Sequence, residues 1–154
     1  MARIKESIGS NFFNKGASYL SEINNDRFVV DKSKSFYLFD IIPMGAVRMN
    51  RADSWRKRPV VLRYFEYKNR LRGCANELKY ELGKTFNAVY FIPMPDSWSK
   101  KKKEAMNGLP HESKPDTDNI TKGIKDALRE SDSDIWWEKA EKRWAHKGSI
   151  LIYA

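Results

Sequence analysis

The stretch PVVLRYFEYKNRLRGCANELKYELGKTFNAVYFIPMP, residues 59–95, changes its period part-way. In its first part Val61, Phe65, Leu71, Ala75, Leu78 and Leu82 trace an apolar stripe, with Arg63, Arg70 and Lys79 towards the other side. Pro59 suits a first helical turn and Gly83 a stop, so the spacing predicts a helix over 59–82. In its second part FNAVYFIPMP is a buried strand. Working outward, SFYLFDIIPMGAVRMN from Ser35 is another apolar, β-rich run, and the basic RMNRADSWRKR after it reads as a loop. Downstream, Ser97 is placed to cap a short helix, SWSKKKKEAMNG, closed by Gly108. LPHESKP (109–115) is a loop, KPDTDNITKGIKDAL (114–128) carries a second main helix, and IWWEKAEKRWA and SILIYA read as two strands. The expected order is strand, helix, strand, short helix, loop, helix, strand, strand. Residues 1–35 read as an N-terminal extension, a docking arm rather than a separate domain, with short amphipathic helices at Ile4, Ile8, Phe12 and at Leu20, Ile23.

A chain of 154 residues with 41% hydrophobic and 13% aromatic content has material for one folded domain and excludes wholesale disorder. The single cysteine, Cys74, offers neither an intramolecular disulfide nor a zinc-type pair. The N-terminus lacks the apolar core of a signal peptide, and no apolar run approaches the roughly 18 residues of a membrane span. The expectation is a soluble domain of the reducing cytoplasm. The net charge is +9, and residues 48–103 hold 15 basic and 5 acidic residues, a surplus of ten that accounts for the whole. Such concentration fits a nucleic-acid surface; a solvated basic face is the alternative.

Against that background the carboxylates of 114–134 need a reason. On a helical wheel Asp118, Lys122, Asp126 and Arg129 fall within about 80° of one another, while Ile120, Ile124, Ala127 and Leu128 lie opposite. Pro115 biases Lys114 towards extended geometry, which makes Asp118 a natural N-cap. An aspartate cap followed by a Lys–Asp pair is ordinary surface chemistry. Asp116 changes the balance, because two carboxylates beside one helix mouth repel unless a cation sits between them. A Mg²⁺ ion shared with a phosphate would remove that repulsion, with Lys122 one turn in to neutralise phosphate charge or orient water.

The run PMPDSWSKKKKEAMNGLPHESKPDTDNITKGIKDAL (93–128) resembles the RusA-like endodeoxyribonucleases, Holliday-junction resolvases common in phages and prophages. The likeness covers roughly 36–154, and D-x-D-N-x-x-K followed by D-A-L is its most specific part. It implies an α+β fold, a single two-layer domain whose mixed sheet of about four strands is packed by two main helices. It further implies a homodimer that nicks four-way DNA symmetrically with Mg²⁺, Mn²⁺ being a substitute, and with no small-molecule cofactor. Asp116 and Asp118 become catalytic carboxylates and Lys122 the functional lysine. The family's third aspartate aligns with Asp132, which has Ile135 three and Lys142 ten places on. The family's adjacent Asp-Asp pair is split here as Asp132-Ser133-Asp134, so Asp134 is the alternative. Asp126 reads as structural or as positioning Lys122. Arg48 and Arg51 sit where similar proteins carry a basic loop near the substrate. Lys100, Lys101, Lys102 and Lys103 are further phosphate contacts, acting through counterion release. His111 is taken as an exposed loop histidine without a role. Trp98, Trp136, Trp137 and Trp144 are taken as core or dimer contacts rather than stacking platforms, the adjacent pair facing opposite sides of a strand. A branched-DNA-binding module without nuclease activity, and a nuclease of flaps or forks, are the competing readings.

Overall fold

The computed structural model describes residues 27–153 apart from 29, 32 and 57. The amphipathic helices expected in the first 26 residues lie outside the described residues. The elements run β1 (Phe36–Phe39), a 3-10 turn (Arg51–Ser54), α1 (Pro59–Leu78), β2 (Thr85–Pro93), α2 (Lys100–Met106), α3 (Thr117–Leu128), β3 (Trp137–Ala145) and β4 (Ser149–Tyr153). The sheet order is β1-β4-β2-β3. β4 pairs antiparallel with both β1 and β2, whereas β2 and β3 run parallel. The expected α+β fold, with a mixed four-stranded sheet, is what forms.

β2 is one of the two inner strands, and it carries contacts to both main helices. Phe86, Ala88, Tyr90 and Ile92 face α1 and α3, while Val89 and Phe91 face the other side with Leu151 and Phe28. Burial on both faces explains its unbroken apolar run. A parallel β2–β3 pair requires a crossover, and 94–136 supply it, with α3 laid back on the sheet. Tyr90 Oη and Thr121 Oγ1 share a buried hydrogen bond of 2.6 Å, and Thr121 also donates to the Thr117 carbonyl at 3.0 Å. These bonds tie the first turns of α3 to β2.

Three details of the expected elements change. α1 ends at Leu78, not Leu82: Lys79 adopts a left-handed conformation (φ 53°), and the Tyr80 N–H reaches the Ala75 carbonyl at 2.9 Å. Tyr80 and Leu82 then enter the core from an extended segment. α1 buries Val61, Tyr64, Tyr67, Leu71 and Ala75 and leaves Phe65 exposed, because Phe65 stands about 100° round the helix from Tyr64. Ser99 rather than Ser97 caps α2, accepting from the Lys102 N–H at 3.2 Å.

Candidate active site

α3 begins at the carboxyl end of the parallel pair and ends at its amino end. Lys142, beside Tyr90 in the β2–β3 register, donates to the carbonyls of Ser113 (2.6 Å) and Pro115 (2.7 Å), just before the helix. At the far end Lys125 meets Glu138 at 3.0 Å and Arg129 donates to the Gly83 carbonyl at 2.9 Å. Crevices at the carboxyl ends of parallel strands are where α/β sheets commonly bind ligands. The helix mouth bearing Asp116 and Asp118 lies at that end.

The N-cap of α3 is Asp116, not Asp118, and its side chain makes no capping bond. Pro115 restricts only Lys114, so Asp116 is free to be the boundary residue. Both carboxylates are exposed, and neither is spent on a cap. Lys122, one turn in, is exposed and pairs with Asp126 at 3.4 Å, a surface contact worth a few tenths of a kcal/mol. Ile120, Ile124 and Ala127 are buried on the opposite face. One side of this helix packs while the other is open to a ligand.

The third acidic cluster is already engaged. Asp132 pairs with Lys125 at 3.5 Å, and Asp134 pairs with Arg129 at 2.8 Å, which holds its carboxyl below the usual range. Burial works against the charge on Lys125, but Glu138 and Asp132 outweigh it and raise its pKa. Lys125 stands seven residues beyond Asp118, about 10 Å along the axis. Among the described residues no three His, Cys, Asp or Glu side chains form a metal-holding group. The pair Asp116 and Asp118 nonetheless has the chemistry Mg²⁺ takes: two hard oxygen donors beside space for water and phosphate oxygens.

The basic loop reaches this mouth directly. The Ala46 N–H donates to the Asn119 carbonyl at 3.1 Å, which places Arg48 two residues from α3. At Gly45 a Cβ would meet Asn119 Nδ2 at 2.7 Å and Pro115 Cβ at 3.3 Å, so a larger residue would have to displace the Asn119 side chain. Beyond it, Asn50 and Asp53 cap the 3-10 turn reciprocally. Arg58 grips the buried Asp53 carboxylate at 2.6 and 2.8 Å and also donates to the Arg48 carbonyl at 3.2 Å. The Arg58 guanidinium and the Asn50 N–H hold the Asp53 carboxyl below its usual range. Arg48, Arg51, Arg56 and Trp55 project to solvent from this braced loop. A cleft of about 580 Å³ beside it is lined by Met49, Asn50, Asp53, Ser54, Leu62 and Phe65; its one carboxylate is already paired, so it is not the acidic site.

On α2, Lys100, Lys101 and Lys102 are exposed and Lys103 is half-buried. Lys102 lies over the Trp98 ring at 4.0 Å, Trp98 meets Trp144 at 4.8 Å, and Trp144 meets His111 at 4.2 Å. Trp98 and Trp144 thus form a ladder from α2 to the 109–115 loop that leads into Asp116, the aspartate loop. Trp136 precedes β3, and both it and Trp137 are exposed. Cys74 is half-buried, and burial pushes its thiol up to about 11, which makes it a poor nucleophile.

His111 is buried, contrary to the expectation of an exposed loop residue, because Trp144 covers it; its Nδ1 has no hydrogen-bond partner among the described residues. Burial, then the Lys142 charge, lowers its pKa below 6.5. Below pH 6.5 the unfolded chain therefore takes up a proton that the folded chain refuses, and stability falls with pH until the folded-state value is passed. Melting curves of the wild type and His111→Gln at pH 7.5 and 5.5 test this: the acid-side loss should shrink in the variant. An equal loss in both would assign it to other groups.

A family model described as "Endodeoxyribonuclease RusA" matches residues 43–153. The chain belongs to the RusA endodeoxyribonuclease family. No curated protein and no solved structure matches the chain. RusA-family proteins are Holliday-junction endonucleases and typically need a divalent metal. The RusA match includes Asp116, Asp118, Lys122 and Asp132, and starts just after β1. Reading the sequence placed Lys142 ten residues beyond Asp132 but missed its bonds to the Ser113 and Pro115 carbonyls, and it missed the Asp53–Arg58 brace. The Asn50-x-x-Asp53 spacing could have revealed the brace; Lys142 bonds only to backbone carbonyls, which leave no pattern.

Proposed function

We propose that this chain is a Mg²⁺-dependent endonuclease that resolves Holliday junctions by paired symmetric nicks, acting as a homodimer in bacterial or phage DNA recombination, repair or processing. The observation that carries the reading is the pair of exposed, uncommitted carboxylates, Asp116 and Asp118, at the α3 mouth beside a basic loop. Asp116 and Asp118 hold Mg²⁺, or Mn²⁺ in its place, and Asp132 is the third carboxylate once it leaves Lys125. When bound, the cation would activate water and neutralise phosphate charge. Lys122 stabilises charge on the attacked phosphate, while Arg48, Arg51 and Lys100–Lys103 hold the backbone. A two-fold dimer places two such sites on a symmetric junction.

The pairing of Asp132 with Lys125 favours one competitor, a branched-DNA-binding module without nuclease activity. Purified protein mixed with end-labelled four-way junction, flap, fork and linear duplex, with and without Mg²⁺ or Mn²⁺, decides between them. The expected products are symmetric nicks in the junction alone, with metal. Junction binding without any metal-dependent product would establish the module instead, and faster cutting of flaps or forks would reassign the substrate.

A further inference from the structure

The end of the aspartate loop nearest α3 is fastened to the sheet through Lys142. Lys142 lies on β3, yet its Nζ donates to the Ser113 and Pro115 carbonyls, which flank Lys114, and its own carbonyl accepts from the His111 N–H at 3.0 Å. The Pro115 carbonyl belongs to the residue bonded to Asp116. The other side of the loop rests on the His111–Trp144 ring contact, with Ser113 Oγ 3.4 Å from His111 Nε2. Asp116 has no capping bond of its own to fix it. Its direction therefore depends on where the Pro115 peptide is held.

We infer that Lys142 is a positioning residue for the metal site, setting the Asp116 carboxylate relative to Asp118 through the Ser113 and Pro115 carbonyls. A side chain that orients a ligand without touching the metal acts as an outer-shell partner, and loss of such partners reduces metal affinity or activity by about 10–100-fold. The inference rests on the nuclease reading above. It differs from a plain stabilising role because the loop has other attachments: the Gly108 N–H donates to the Trp144 carbonyl at 2.8 Å, and the Trp144 N–H to the Leu109 carbonyl at 2.9 Å.

The test compares wild type with Lys142→Met, Lys142→Arg and Lys142→Gln, with Lys139→Met as a control that removes an exposed lysine from the same strand. Mn²⁺ affinity is read from the free-ion paramagnetic resonance signal, separately from kcat and from junction binding without metal. Lys142→Met should weaken Mn²⁺ binding and lower kcat by about 10-fold or more, with junction affinity within about twofold of wild type. Arginine, which can donate to both carbonyls, should restore most of the loss, and the control should match wild type. Wild-type Mn²⁺ affinity in Lys142→Met would overturn the inference, as would equal losses in Lys139→Met. If the methionine variant fails to fold, Lys142→Gln must show the Mn²⁺ shift at smaller size, and its absence overturns the inference equally. A wild type that binds no Mn²⁺ and cuts nothing would defeat the nuclease reading itself, an outcome visible before any variant is compared.

Discussion

Asp118→Asn should lower metal-dependent junction cleavage by on the order of 10²–10³-fold while leaving the fold and junction binding intact. The substitution keeps size and shape and removes a charge. Asp118 is exposed and has no hydrogen bond or ion pair among the described residues, so nothing in the packing is disturbed. Its only structural credit is a negative charge in the first turn of α3, worth about 0.3–1 kcal/mol against the helix dipole. Binding should hold or tighten, because a carboxylate facing phosphates repels them and an amide does not. The same labelled junction, assayed for gel shift without metal and for product with Mg²⁺, separates the two effects. Cleavage at the wild-type rate would remove Asp118 from the chemistry.

Ile124→Ala, on the opposite face of the same helix, should do the reverse. Ile124 is fully buried in the core shared by α1, α3 and β2. Its truncation should cost about 2–5 kcal/mol, through lost apolar burial and the cavity left behind. For a domain of this size that lowers the melting temperature by roughly 2–4 °C per kcal/mol, or about 6–12 °C for a 3 kcal/mol loss. Cleavage and binding should both survive in the cold and vanish together on warming. A melting temperature unchanged within about 2 °C would mean the core closes around the gap.

These two variants show what the sequence made legible. The period of 118–129 separated a packing face from a chemical face, and Ile120, Ile124 and Ala127 are buried as that period requires. The change of period near residue 84 marked the passage from α1 to β2. The end of α1 was not legible: Leu78 and Leu82 keep the helical spacing, and Lys79 in a left-handed turn announces itself by no glycine. Tyr80 and Leu82 satisfy the same demand for burial from a different backbone. His111 was misjudged because its cover, Trp144, lies 33 positions away, and loop histidines without such a cover are exposed. Asp132 aligned by spacing, but its partner Lys125 could be found only once the chain had turned from α3 into β3.

The strand order also dictates when this protein can fold during its synthesis. β1, near the start of the domain, pairs only with β4, from Phe36 opposite Tyr153 to Phe39 opposite Ile150. β2 has β3 on one side and β4 on the other, so neither of its edges is satisfied until residues after 136 exist. A ribosome that has made everything through α3 therefore holds two unpaired strands, β1 and β2, and three helices with no sheet to cover. Strands joined at such separation form slowly, and the unfinished chain exposes β2 meanwhile. The sheet closes, and the aspartate loop gains its Lys142 anchor, only when β3 and β4 have left the tunnel.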